Sequence, residues 1–412
     1  MRAHRLVVVL CLGCAGAGRA PSPGASQVRP GIEVVLSDSA HLIAGKRLGL
    51  LTNHTGIDHL GRRDADLLLA ARGGGSRLTV LFSPEHGFRG TEDREGLPDG
   101  RDSATGLPIY SLYGGSRSAA RAALDSIDIL LIDLQDIGAR FYTYPATAAS
   151  LMRDASHAGK RVIILDRPNP LGGTAVQGNV RAQLADPDSN LVGFLPVAMR
   201  HGMTLGELAR MANDLMRLKL DLAVVPALGW KRAQFYDETG IPWIKPSPNM
   251  PSLKSAVLYP GMCLFEGTNL SVGRGTPIAF QVLGAPWLDA AKLLGRLRTF
   301  EAPGVEVVDT TFTPLGPTDG KYPGVALPGI RMRVTDRERF DATQFAVLVL
   351  AALRSTHPDK FAFRASHFDR LATGPELRLA IESGRSPQEI WSAWHQERAR
   401  FRERREKYLI YP

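Results

Sequence analysis

From residue 47 onward, apolar runs of strand length alternate with amphipathic stretches. The runs are RLGLLTN (47–53), LTVLFSP (78–84), IDILLIDLQD (127–136), RVIILDRP (161–168) and LAVVPAL (222–228). Helical patterns stand between them at 64–72, 118–125, 145–159 and 204–220, the last opening with Thr204 and Glu207 at capping-box spacing. Strands that are apolar throughout bury both faces, and a helix after each one covers them, so residues 30–250 are expected to form a parallel sheet. Beyond about residue 250 the rhythm changes. A Gly/Pro-rich passage leads to a helix near 287–300, strands at 305–313 and 329–336, and a helix over 341–355. A final helix is signalled by Ser386, Pro387 and Glu389 as cap, first-turn proline and box partner. The fold class expected is α/β: a Rossmann-like open parallel sheet domain followed by a smaller α+β ancillary domain over 251–412.

The first twenty residues do not belong to that pattern. Two arginines, an apolar stretch from Leu6 to about Leu12 and then small residues have the layout of a secretory signal, with cleavage expected after Ala20. Leu12-Gly13-Cys14 also resembles a lipoprotein processing site, so the chain is expected to be exported, periplasmic or extracellular, either free or lipid-anchored at Cys14. Removing the signal leaves one cysteine, or two if Cys14 is kept as a lipid carrier; Cys263, in the apolar run MCLF, reads as a core residue and not a nucleophile. The formal charge of +9 includes three signal arginines, and the remaining excess reads as solvated surface, with no nucleic acid as partner.

Ligands of an open parallel sheet bind beyond the carboxyl ends of its strands. Here those ends carry Asn53 and His54; Glu85 and His86; Asp133, Asp136, Arg140, Tyr142 and Tyr144; and Asp166, Arg167 and Asn169. The chain lacks a P-loop, H-E-x-x-H, clustered C-x-x-C pairs and G-x-S-x-G, and Gly273-Arg274-Gly275 is a weak dinucleotide signal, so no cofactor and no metal are expected. Carboxylates with aromatic rings and arginines remain, the inventory of a carbohydrate site. Glu85, beside Phe82 and Phe88 at a strand exit, is the candidate general acid. Asp133, Asp136, Asp166 or Glu266 would be its partner, and Tyr142 and Tyr144 would stack on a sugar. Each also has a plain reading as a cap, an ion pair or packing.

The stretches LLTNHTG, FSPEHGFRG, DLQDIGARFYTY, DRPNPLGG, PSPNMPS and YPGMCLFEGTNLSVGRGT resemble those of the exo-β-N-acetylmuramidases of the NamZ type, from about residue 30 to the C-terminus. The resemblance implies a Rossmann-like domain, an ancillary domain and a site in the cleft between them. It also implies release of N-acetylmuramic acid from non-reducing ends, with peptidoglycan-derived disaccharides and muropeptides as partners. The proposed catalytic glutamate of that family falls on Glu85. Asp136 and Glu266, which the resemblance places in the cleft without a role, are the further catalytic candidates. Asn53, His54, His86, Arg140, Tyr142, Tyr144, Asp166, Arg167, Asn169, Asn249, Asn269 and Arg274 are the candidate substrate-binding residues. A muramic substrate carries a lactyl carboxylate, for which Arg140 is the first candidate reader, followed by Arg167 and Arg274. The alternative is a non-catalytic muropeptide-binding protein on the same fold.

Overall fold

The computed structural model describes residues 27–71, 74–92 and 96–412. The signal-like segment, the cleavage point after Ala20 and Cys14 lie outside the described residues. Strands β1 (Arg47–Thr52), β2 (Arg77–Ser83), β3 (Gly100–Arg101), β4 (Pro108–Ser111), β5 (Ile129–Asp133) and β6 (Arg161–Leu165) are followed by the short antiparallel pair β7 (Gln177–Val180) and β8 (Ala198–Arg200), and then by β9 (Leu222–Val225). The main sheet has seven strands in the order β3-β4-β2-β1-β5-β6-β9, parallel except where β3 meets β4. Strand-edge β3 and β4 and the pair β7–β8 are additions to the expected set. Their sequences, such as PIYS and QGNV, are short and carry no apolar run.

Alternate residues of each central strand feed two cores. Leu48, Leu50, Leu81, Leu131 and Ile163 pack with Ile32, Val35 and Leu68 on one face. Leu51, Phe82, Leu130, Ile132 and Ile164 face the other way, into a larger core that continues through Leu258 and Met262 to Phe345 and Val349. That second core therefore joins the sheet to helices Leu253–Met262 and Ala342–Thr356 of the C-terminal half. There, β10 (Val282–Gly284), β11 (Val305–Phe312) and β12 (Leu327–Val334) form an antiparallel sheet in the order β10-β12-β11.

Both expected capping boxes are present, at Thr204/Glu207 and Ser386/Glu389. The helix Pro387–Arg405 leads the chain back onto the first half. Arg405 Nη1 donates to the carbonyls of His201 and Gly202, each at 2.9 Å. The Tyr411 hydroxyl donates to Asp166 at 2.7 Å and accepts from the Ala227 N–H at 2.8 Å. These ties and the shared core hold the two halves in one arrangement around the space between them.

Candidate active site

At the end of β2 the chain must turn out of the sheet at once. His86 does so with φ of 68°, a left-handed conformation that costs a non-glycine residue energy, and Gly87 follows at 72°. His86 Nδ1 lies 2.8 Å from the Glu92 carbonyl oxygen, and the Glu92 N–H donates back to the His86 carbonyl at 3.3 Å. Gly90 completes the turn: a Cβ there would lie 1.8 Å from the His54 ring. His54 itself is fixed through Nε2, 2.6 Å from the Lys245 carbonyl oxygen, and its burial pushes its pKa down. The tight loop thus presents Glu85 half-buried, with the Thr143 hydroxyl donating to its Oε2 at 2.5 Å. Thr143 comes from the loop that joins β5 to the helix Tyr144–His157.

Glu85 and His86 open into a cavity of about 350 Å³ whose walls come from both halves of the chain. The first half contributes Tyr113, Phe141, Tyr142 and Thr143 with the segment Asp188–Val192, while Ser247, Asn249, Tyr259, Cys263, Glu266, Arg274, Phe280, His367 and Arg370 come from further along. Phe82 and Phe88, expected to flank Glu85, instead belong to the two cores, and the aromatic lining is Tyr113, Phe141, Tyr142, Tyr259 and Phe280. The Tyr142 and Tyr144 rings meet edge-on with centroids 4.7 Å apart. Burial, then Tyr144, and at longer range the Glu85 charge push the Tyr142 hydroxyl well above its ordinary pKa, so it remains a neutral donor.

Glu266 differs from Glu85 in its surroundings. It pairs with Arg274 Nε and accepts a weak 3.6 Å hydrogen bond from the Cys263 thiol. Burial acts to raise its pKa, but Arg274, with Lys321 behind, outweighs that and holds the carboxyl below the usual glutamate range. It is therefore ionised at neutral pH. The Cys263 thiol is pushed well above its usual pKa by burial first and then by the Glu266 charge, so it is no thiolate nucleophile. Arg274 also lies over the Phe280 ring, 5.6 Å from its centroid.

Of the candidate residues, Glu85, His86, Tyr142, Asn249, Glu266 and Arg274 line this cavity. The others serve elsewhere. Asp136 is buried, accepts the Gly138 N–H at 2.7 Å and lies 3.4 Å from His201 Nε2. Asp166 is fully buried and accepts from Thr204, the Gly206 N–H and Tyr411, so it anchors a helix start and the C-terminus. Asn169 holds Met203 and Leu171, and Asn269 holds Lys360 and Ala362, in both cases through backbone groups. Asn53 donates to the Tyr144 hydroxyl at 2.8 Å, and that hydroxyl donates to the Pro246 carbonyl at 2.7 Å, a layer behind the cavity. Arg167 pairs with Asp133 inside the sheet's switch point, and Arg140 is buried among carbonyls, so two of the three expected carboxylate readers are out of reach. Sequence reasoning missed Thr143, Tyr259, His367 and Arg370. Thr143 and Tyr259 stood inside the quoted motifs, whereas FRASHFDR reads only as a charged helix.

Glu85 and Glu266, two carboxyl groups in different surroundings set among five aromatic rings and two arginines, have the chemistry of a carbohydrate-cleaving enzyme. The comparisons with known proteins agree with that class. The family model of the exo-β-N-acetylmuramidase NamZ N-terminal domain matches residues 48–254, and that of its C-terminal domain matches 257–411. The chain belongs to this family of glycoside hydrolases. The peptidoglycan β-N-acetylmuramidase NamZ of Bacillus subtilis (strain 168) is 38% identical over 387 residues, 93% of this chain and 92% of that relative. Two crystal structures of DUF1343 family proteins from Bacteroides fragilis NCTC 9343 are each 32% identical. Each covers 94% of this chain and 99% of its own, with TM-scores of 0.84 and 0.73.

Proposed function

We propose that this protein is an exo-acting glycosidase that removes terminal β-N-acetylmuramic acid from the non-reducing ends of peptidoglycan fragments, with Glu85 as catalytic acid and the cavity between the two halves as its site. The observation that carries this reading is the pairing, in one aromatic-lined cavity, of a carboxyl on a strained strand-end turn with a second carboxyl kept ionised. Glu85 in its acid form gives its proton to the glycosidic oxygen as the bond to the anomeric carbon breaks, and water then adds to that carbon and gives up the proton that restores Glu85. The Thr143 hydroxyl fixes the rotamer from which that transfer occurs. Positive charge then grows on the sugar ring, and the Glu266 carboxylate, kept ionised beside Arg274, supplies the compensating field. The substrate lies outside the cytoplasmic membrane, which suits the signal-like N-terminus.

The test is release of the chromophore from an aryl β-N-acetylmuramide and from the matching β-N-acetylglucosaminide, together with product analysis on a muramic-acid-terminated disaccharide. Turnover of the muramide and liberation of free N-acetylmuramic acid are expected. Release from neither glycoside overturns the reading.

A further inference from the structure

The proposed substrate differs from its N-acetylglucosamine counterpart by a lactyl ether ending in a carboxylate, so a cavity that selects it needs a cation not already neutralised. Arg274 faces the cavity but is committed to Glu266. Arg370 lines the same cavity, is exposed, and forms no ion pair among the described residues. Its hydrogen-bond partner is an imidazole: Nη2 lies 3.3 Å from His367 Nδ1. An arginine has only donors, so Nδ1 accepts, and the imidazole carries its proton on Nε2. Burial first, and then repulsion from Arg370, hold His367 below its ordinary pKa, which keeps the ring neutral and in that tautomer.

From this arrangement we infer that Arg370, with the His367 N–H beside it, binds the lactyl carboxylate and sets the preference for muramic over glucosamine ends; the inference rests on the function proposed above. Arg140 acquires a positioning role in it. Its Nη2 donates to the Leu371 carbonyl at 3.1 Å, and Asn179 Nδ2 donates to the Ala372 carbonyl at 2.6 Å. These are the last carbonyls of the helix Ala365–Ala372, which carries both His367 and Arg370. A buried cation at a helix C-terminus satisfies carbonyls that the helix leaves open and opposes the negative end of its dipole. Arg140 thus fixes where Arg370 stands without touching the sugar.

The experiment compares kcat/KM for an aryl β-N-acetylmuramide, its lactyl methyl ester and the aryl β-N-acetylglucosaminide. Arg370→Ala is expected to lower the value for the free acid by about 10- to 150-fold, the loss of one charge-assisted contact, mainly through KM. The ester and the glucosaminide should be unaffected by it. Wild-type enzyme should lose a similar factor on going from acid to ester, and the variant should lose nothing further on the ester. Arg370→Lys, which keeps the charge without the planar fork, should fall between. Arg140→Ala should reproduce the acid-selective rise in KM, with partial rescue by Arg140→Lys. Equal losses on all three substrates, or no loss on the acid, overturn the assignment of Arg370. Failure of the underlying function would look different, because the wild-type enzyme would then turn over none of the three.

Discussion

The carboxyl ends of β2 and of β5 and β6 are equally rich in polar side chains, and the chain uses them in opposite ways. At β5 and β6 the groups answer one another. Arg167 bridges both oxygens of Asp133 and reaches the Ile57 carbonyl at 2.8 Å. Asp64 is held well above the ordinary carboxylate range, by burial first and then by the neighbouring Asp133 charge, and accepts from the Thr52 hydroxyl. The crevice between β1 and β5, where an open sheet reverses its strand order and often takes a ligand, is thus filled with internal cement. At β2 the loop is strained outward, and Glu85 shares a cavity with groups from the other half of the chain. Polar density at a strand end marks either a site or a scaffold; what separates them is whether the groups find their partners inside the protein.

Replacing one residue from each region should separate chemistry from stability. Glu85→Gln keeps size and hydrogen bonding but removes the transferable proton. Turnover of a disaccharide with a poor leaving group should fall about 100- to 10,000-fold while the unfolding midpoint stays put. Retention of more than about a tenth of the activity would remove Glu85 from the acid role. Arg167→Ala should show the reverse. It strands the buried Asp133 carboxylate, and urea unfolding should report a loss of about 3–5 kcal/mol, with kcat per folded molecule little changed. A large kcat loss without destabilisation would make the switch-point cluster part of the site after all.

A smaller effect comes from Asp166. Burial raises its pKa from 3.8 to about 6, despite donors from Thr204, Tyr411 and Gly206. The folded pKa lies above the unfolded one, so the folded state keeps the proton longer. The stability this contributes is complete below about pH 3.8 and is lost as the pH rises through about 6. Subtracting the pH–stability curve of Asp166→Asn from that of the wild type should leave a decline on the order of 2–3 kcal/mol between those limits and a flat trace above. A difference that does not vary with pH would show that Asp166 does not titrate within the fold.

Much of the scaffold was legible because it repeats simple periods. The five apolar runs became β1, β2, β5, β6 and β9, and both capping boxes formed where Thr204 and Ser386 indicated. That Glu85 lines the cavity was legible from its place, since a Glu between Pro84 and Gly87 at a strand exit has few structural duties. Arg140 and Arg167 misled because a strand-end arginine looks the same in sequence whether it faces a cavity or a carbonyl cage. Local pattern does not report how far a side chain is covered by residues 231 positions away, as Arg140 is by Leu371. Arg370 was silent for the complementary reason, since its role depends on which helix the second half brings over the cavity.

Asn269 tests the comparison at its faint end. It stands in FEGTNLSVGRGT beside Glu266 and Arg274, and that proximity made it a candidate for binding substrate. Its side chain instead donates to the Lys360 carbonyl at 2.7 Å and accepts the Ala362 N–H at 3.1 Å, closing a loop in the C-terminal half. It does not line the cavity. Two neutral hydrogen bonds at a partly exposed position contribute about 0.5–1.5 kcal/mol each, and water replaces part of what truncation removes. Asn269→Ala should therefore lower stability by about 1–2 kcal/mol and leave both kcat and KM unchanged on the muramide. A rise in KM with intact stability would place Asn269 against the substrate and extend the site along the loop. A fall in both stability and kcat would show that the loop carrying Arg274 needs Asn269 to hold Glu266 in register.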